Sequence, residues 1–457
     1  MPQLIIIIIY FAVILVIGAV SRRKAERADD FFVAGRKGSS LFIVGSLLAT
    51  IIGGSATVGM AGLGFQRGLT GAWWLLAGSA GLIVLGVFFA RKVRQYALYT
   101  LPELIEKHYD RRMALASSVL IVVAWVGIIA AQIIAAGKIM GILGTGGETL
   151  WMIIFSFVFI TYTVLGGQHS VIRTDLLQSV IIFGGIFAGL GLLLSRLGGW
   201  DGLQSALSAD MFAFPTNPQF GGAGLASTLL VVGLTYVVGP DMYSRLFCAR
   251  DDATARASTF WTAGLIIPVA FAVTIIGMGA AVLFPHIAAE QALPTVIREV
   301  FSPLAGGIIL AALLCAMMSS ADTTLLSAGT ILTVDIIGAF RAAPDKNILR
   351  NSRWLIVLLG IISLAVALLL KGIISALLFA YTVYTCGVIL PVIAGFFKDR
   401  LKVTATGALA ALIGGGAMGI ASKLVSVKYL DLAALALSAV LLFLVSFIDN
   451  RIKGKHS

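Results

Sequence analysis

Apolar stretches near or above 18 residues recur along this chain and leave few options for its fold. We count thirteen, at 3–20, 41–63, 70–90, 113–141, 149–166, 174–195, 225–246, 259–284, 303–336, 354–370, 373–397, 403–422 and 428–448. Runs of this length cross a bilayer as helices, because a backbone surrounded by hydrocarbon must satisfy its own hydrogen bonds. The expected fold class is an all-α integral membrane protein with about 13 transmembrane helices. With 59% of its 457 residues hydrophobic and 12% charged, the chain reads as a single transmembrane domain, 1–457, that leaves no length for a separate enzyme or sensor module.

Basic residues fall into two alternating sets of loops. One set, 22–37, 91–112, Arg173, 245–256, 341–353, 398–402 and 451–455, holds 26 of the 33 Lys and Arg; the other holds Arg67, Arg196, Arg298, Lys371, Lys423 and Lys428, with Lys138 near a helix end. The positive-inside rule puts the first set in the cytoplasm, the N-terminus outside and the C-terminus inside a cell membrane. The net charge of +12 is thus a mark of topology, and no nucleic-acid partner is expected. Arg22-Arg23-Lys24 follow the first apolar run instead of preceding it, so that run is expected to stay as a spanning helix and not as a cleaved signal. Cys248, Cys315 and Cys386 lack metal or redox spacing, and free thiols are expected.

The spans after the first divide into two groups of five, 41–195 and 225–397. An odd number of spans places consecutive groups in opposite orientations, an inverted repeat with one helix (3–20) before it and two (403–448) after. The first span of each group is interrupted, by Ile51-Ile52-Gly53-Gly54-Ser55 and by Val237-Val238-Gly239-Pro240-Asp241. Gly pairs and Gly-Pro weaken the helical ladder, and carbonyls freed at membrane depth persist where they line a cavity or bind something. The alternative is close helix packing through Gly.

Within 303–336 stands the polar run Ser319-Ser320-Ala321-Asp322-Thr323-Thr324. Its oxygens, without imidazole or thiol, suit a hard cation; the alternative is hydroxyls bonding back to their own helix. Asp175, with Gln178 one turn on, is the other acid of interest, as a cation ligand or as a helix cap. Asp241 and Arg245, spaced i, i+4, read as a structural ion pair. No His-Glu-x-x-His, Gly-x-Ser-x-Gly or phosphate-loop pattern is present, and His108, His169, His286 and His456 are scattered, so no enzyme is expected.

These residues resemble the sodium:solute symporter family. The resemblance is carried by Gly53-Gly54-Ser55-Ala56-Thr57-Val58-Gly59, Thr100-Leu101-Pro102-Glu103, Tyr162-Thr163-Val164-Leu165-Gly166-Gly167 leading to Thr174-Asp175-Leu176-Leu177-Gln178, Gly239-Pro240-Asp241 with Ser244-Arg245, and Ala316-Met317-Met318-Ser319-Ser320-Ala321-Asp322-Thr323. It implies a leucine-transporter-type fold and sodium-coupled uptake of a small organic solute by alternating access. It also implies a main sodium site from the carbonyls of Ala49, Ile52 and Ala316 and the hydroxyls of Ser319 and Ser320. Some relatives hold a second cation at the positions of Asp175, Ser319, Asp322 and Thr323, where Asp322 replaces a hydroxyl. The solute is implied near Ile51, Gly53 and Ala56, with walls from Trp73, Trp74, Gln132, Tyr236, Tyr381 and Thr385. No arginine is evident at that site. The expected partners are the solute, Na+ and the bilayer, with no transition metal and no obligate protein partner evident. A proton-coupled carrier using Asp175 and Asp322 is the nearest alternative. A channel would need a continuous polar pore, and a sensor would need more than the tail from Asp449 to Ser457.

Overall fold

Eleven helices among the described residues are long and apolar enough to cross a membrane. The computed structural model describes residues 2–21, 27–144, 146–338, 345–370, 372–425 and 429–453. The basic run Arg22–Lys24 and Arg341, Lys371, Lys428, Lys455 and His456 lie outside them. In chain order the elements are α1 (Pro2–Ser21), α2 (Ser40–Ile51), α3 (Ser55–Tyr96), α4 (Leu101–His108), α5 (Arg111–Gly141), α6 (Gly147–Arg196) and α7 (Gly222–Cys248). They continue with α8 (Asp252–Leu283), α9 (Pro303–Ile337), α10 (Ile348–Leu369), α11 (Ile373–Gly395), α12 (Ala405–Leu424) and α13 (Leu430–Lys453). No β-strand occurs among the described residues. Large apolar side chains such as Ile8, Phe157, Trp261, Trp354 and Leu369 stand on the outer surface. That distribution suits lipid rather than water and makes this a multi-pass membrane protein.

Two of the boundaries expected from hydropathy are marked by non-helical glycines. The stretches 149–166 and 174–195, together labelled α6, are two helices that meet at a kink at Gly167, with φ 53 and ψ −156. That conformation belongs almost entirely to glycine, and a Cβ there would stand 2.5 Å from the Phe31 ring. Likewise α3 combines the end of one expected span with the next, turning at Gly68 (φ 62). Conversely, the expected span 41–63 is broken: α2 stops at Ile51, Ile52 takes φ −85 and ψ 67, and helix resumes at Ser55.

Helix α9 is the axis of the bundle. Every residue from Ala312 to Ile331 is buried, so this stretch has no lipid-facing side, and α1, α2, α5, α6 and α10 pack around the helix. At its end, Thr100-Leu101-Pro102-Glu103 proves to be a capping box. Thr100 Oγ1 accepts the Glu103 N–H (3.2 Å), Glu103 Oε2 accepts the Thr100 N–H (3.3 Å), and the Thr100 hydroxyl donates to Asp335 Oδ1 of α9 (2.9 Å). Helices α12 and α13 pack on each other and against α11.

The first arm of α3 approaches α8 backbone to backbone. A Cβ on Gly277 would stand 1.9 Å from the Ala61 carbonyl oxygen, and one on Gly64 2.2 Å from that of Thr274. Backbone cannot yield as a flexible side chain can. Gly277→Val is therefore expected to destabilise the protein by about 1–3 kcal/mol, the usual cost of overpacking. The check is the melting temperature of the purified variant; an unchanged value would refute the close approach.

Candidate functional site

The two helix breaks face each other across the middle of the bundle. In α2, backbone continuity is lost after Ile51 because Gly53 and Gly54 impose little helical preference. The Gly54 N–H, freed by the break, donates to Gln132 Oε1 of α5 (2.7 Å), and the Thr57 hydroxyl donates to the Gly53 carbonyl (2.9 Å). Among the described residues no backbone N–H bonds to the carbonyl oxygens of Ala49 or Ile52. Those two oxygens are thus free for another partner. In α7 the helix ends at Val237 and restarts at Pro240, which has no N–H to lose. The Val238 carbonyl left open receives the Tyr384 hydroxyl.

The polar run of α9 faces the first break. Ser320 donates to the Thr50 carbonyl oxygen (2.6 Å) and Ser319 donates to Asp175 Oδ1 (2.5 Å). Both hydroxyls reach across to other helices. Thr324 does the opposite and donates back to the Ser320 carbonyl of its own helix (2.6 Å). The expected hydroxyl stripe therefore divides by residue into cross-helix and local bonds.

Behind Ser319 lies a buried charge cluster. Asp175 sits within α6 past the bend, so it is not a helix cap. Its Oδ2 accepts from Ser46 (2.5 Å) and pairs with Arg245 Nη2 at 3.5 Å, both side chains being 0% exposed. Arg245 also donates through Nε to Ser46 (3.0 Å), through Nη1 to Gln168 Oε1 (3.3 Å) and Ser244 (3.2 Å), and through Nη2 to Thr50 (3.3 Å) and Thr323. The ion pair inferred from the i, i+4 spacing of Asp241 and Arg245 is thus corrected: the partner of Arg245 is Asp175. Arg245 belongs to this charge cluster and does not line the solute cavity.

The second-cation residues Asp175, Ser319, Asp322 and Thr323 are assembled, with Thr323 donating to Asp322 Oδ1 at 3.3 Å. In this conformation the guanidinium supplies their positive charge. Asp322 Oδ2 is the carboxylate oxygen of the cluster with no hydrogen-bond partner.

Between the breaks lies a small cavity lined by residues of both. Of the expected solute residues it is lined by Ile51, Gly53, Gln132, Tyr236 and Tyr381. Trp74 stands one layer back, its ring stacked on Tyr381 at 6.2 Å. Thr385 is also behind the wall, bonded to Thr235 (3.1 Å) and to the Val231 carbonyl (3.0 Å). Ala56 is buried away from the cavity, and Trp73 stacks on Phe214 with its indole N–H on the Pro215 carbonyl. Not anticipated were Trp125, Met242 and, above all, Asp241, although the Gly-Pro-Asp break pointed at its position. Ser320 lines the cavity while holding Thr50, so the hydroxyl wall and the cavity share a residue.

With this geometry in place, comparison with known proteins is informative. A profile described as the sodium:solute symporter family matches residues 31–415. The chain is 26% identical over 437 residues to a sodium/glucose cotransporter of Vibrio parahaemolyticus, covering 86% of this chain and 80% of that one. It is 24% identical to a sodium/pantothenate symporter of Haemophilus influenzae, covering 98% and 95%. In fold it is similar to a substrate-bound, outward-open Na+-coupled sialic acid symporter, with TM-score 0.81, 16% identity and 98% of each chain covered. These relatives are transporters and not enzymes, and the chain belongs to the sodium:solute symporter family.

Proposed function

We propose that the protein is a sodium-coupled symporter that takes up a small organic solute by alternating access, with its N-terminus outside the cell membrane and its C-terminus in the cytoplasm. The 1–457 transport domain is organised as thirteen spans. Residues 3–20 precede a five-plus-five inverted repeat, 41–195 and 225–397, and 403–448 follow it. Sodium, as co-transported cargo, is held by the carbonyls of Ala49, Ile52 and Ala316 and the hydroxyls of Ser319 and Ser320. Neutral oxygens around a monovalent cation bind it without trapping it, as a cycle requires.

The observation that carries this reading is the position of Ser320. Its hydroxyl is bonded to the carbonyl of Thr50 at the helix break, and the same side chain lines the solute cavity. A cation that engages Ser320 therefore changes the wall the solute meets, which is what coupling between two sites requires. Arg245 anchors the neighbouring carboxylate as a fixed internal charge.

The test is the melting temperature of the purified protein in NaCl and in KCl at equal ionic strength. Sodium is expected to stabilise the native form specifically. Ser320→Ala and Ser319→Ala are each expected to lower sodium affinity about tenfold or more, with melting in KCl little changed. Unchanged sodium stabilisation in both variants would refute the site. Uptake driven by a pH gradient in the absence of sodium would instead assign coupling to Asp175 and Asp322.

A further inference from the structure

Opposite the hydroxyl wall, the cavity holds a carboxylate that sodium coupling does not use. Asp241 is the one charged side chain among the described residues lining the cavity. It stands in the first turn of the helix Pro240–Cys248. The nearest cation in sequence, Arg245, makes its ion pair with Asp175 and acts on Asp241 only through space. An acid at membrane depth that has no ion-pair partner among the described residues is costly, and such residues are retained where they meet a ligand or a transported species.

We propose that the transported solute is an organic cation, an amine or quaternary ammonium compound lacking a carboxylate, whose charge rests against Asp241 beside the rings of Tyr236, Tyr381 and Trp125. This inference rests on the symport reading and narrows its solute.

Three further observations point the same way. Three aromatic residues, Tyr236, Tyr381 and Trp125, line the cavity, and aromatic rings attract ammonium groups once water is excluded. A free N–H at the start of a half-helix is the natural carboxylate receptor, and here the Gly54 N–H is instead bonded to Gln132 Oε1 at 2.7 Å. No Lys, Arg or His lines the cavity to replace it. An uncharged polyol would leave the Asp241 carboxylate without a counter-charge. Trp125 Nε1 is buried and has no partner, so a solute hydroxyl or ether oxygen within its reach would complete the set.

The experiment measures thermal stabilisation of the purified chain in nanodiscs, in NaCl and KCl, by three cationic probes: choline, ethanolamine and putrescine. The controls are the neutral carbon isostere of choline, glucose and pantothenate. At least one cationic probe is expected to stabilise more strongly in sodium than in potassium, and the three controls are not. Asp241→Asn is expected to weaken that probe about 10- to 100-fold, the scale of one charge-assisted contact, with Asp241→Glu retaining part of it. Stabilisation by sodium alone should survive in Asp241→Asn.

No sodium-enhanced response to any cationic probe would overturn the inference, as would a control binding better than all three. So would probe binding in Asp241→Asn at the unmodified affinity, or loss of stabilisation by sodium alone in that variant, which would make Asp241 a cation ligand. Failure of the symport reading is seen separately, as absence of a sodium-specific shift in the unmodified protein without any probe.

Discussion

Arg245→Met is expected to lose most of its stability, about 3–5 kcal/mol, because it leaves Asp175 as an uncompensated charge in the interior. The pair is 3.5 Å apart with neither side chain exposed, and Arg245 also ties Ser46, Thr50, Gln168, Ser244 and Thr323 to one point. Those residues come from α2, α6, α7 and α9, so the loss affects four helices at once. The measurement is the yield of monodisperse protein after detergent extraction, together with its melting temperature. Combining Arg245→Met with Asp175→Asn should recover part of the loss, because the stranded charge is removed with its partner. A single variant as stable as the unmodified protein would show that the pair is not a structural node.

Gly53→Ala is expected to abolish the response to sodium while leaving the helices assembled. The added Cβ would lie 2.4 Å from Ser320 Oγ and 2.7 Å from Gln132 Oε1. These two atoms are side-chain ends, which can move, while Ser320 Cβ, at 2.9 Å, must also shift slightly with its helix. Ser320 cannot both move and keep its bond to the Thr50 carbonyl. A displacement of about 1 Å in a positioned group costs about 100-fold in comparable sites, and sodium affinity is expected to fall on that scale. Titration of the melting temperature with NaCl reads the effect directly. A sodium response equal to that of the unmodified protein would separate the helix break from the cation site.

The helix breaks were legible because their cause is local. Gly53-Gly54 and Gly239-Pro240 weaken a helix wherever they stand, and both interruptions fell at the expected residues. The bend at Gly167 was legible only as a boundary. Hydropathy separates 149–166 from 174–195, but only backbone geometry shows that a single glycine at positive φ makes the kink between them. The aromatic walls were half legible. Trp73 and Trp74 are adjacent, and successive side chains on a helix point about 100° apart, so the choice between them depends on how α3 is rotated. It is rotated with Trp74 inward, behind Tyr381, while Trp73 goes to Phe214.

The charges were the least legible. Asp241 lies four residues before Arg245, a spacing that suggests an ion pair, whereas Asp175 is 70 residues away in sequence. Packing brings Asp175 to Arg245 and leaves Asp241 facing the cavity. By itself, the sequence determined that this chain crosses a membrane many times, where two of its helices break and which helix carries the hydroxyls. Those properties follow from residue chemistry within a few turns, because hydrocarbon forces each segment to satisfy its own backbone. Only the tertiary structure decided which cation meets which acid and which groups face the solute, because those contacts depend on the rotation and depth of helices far apart in the chain.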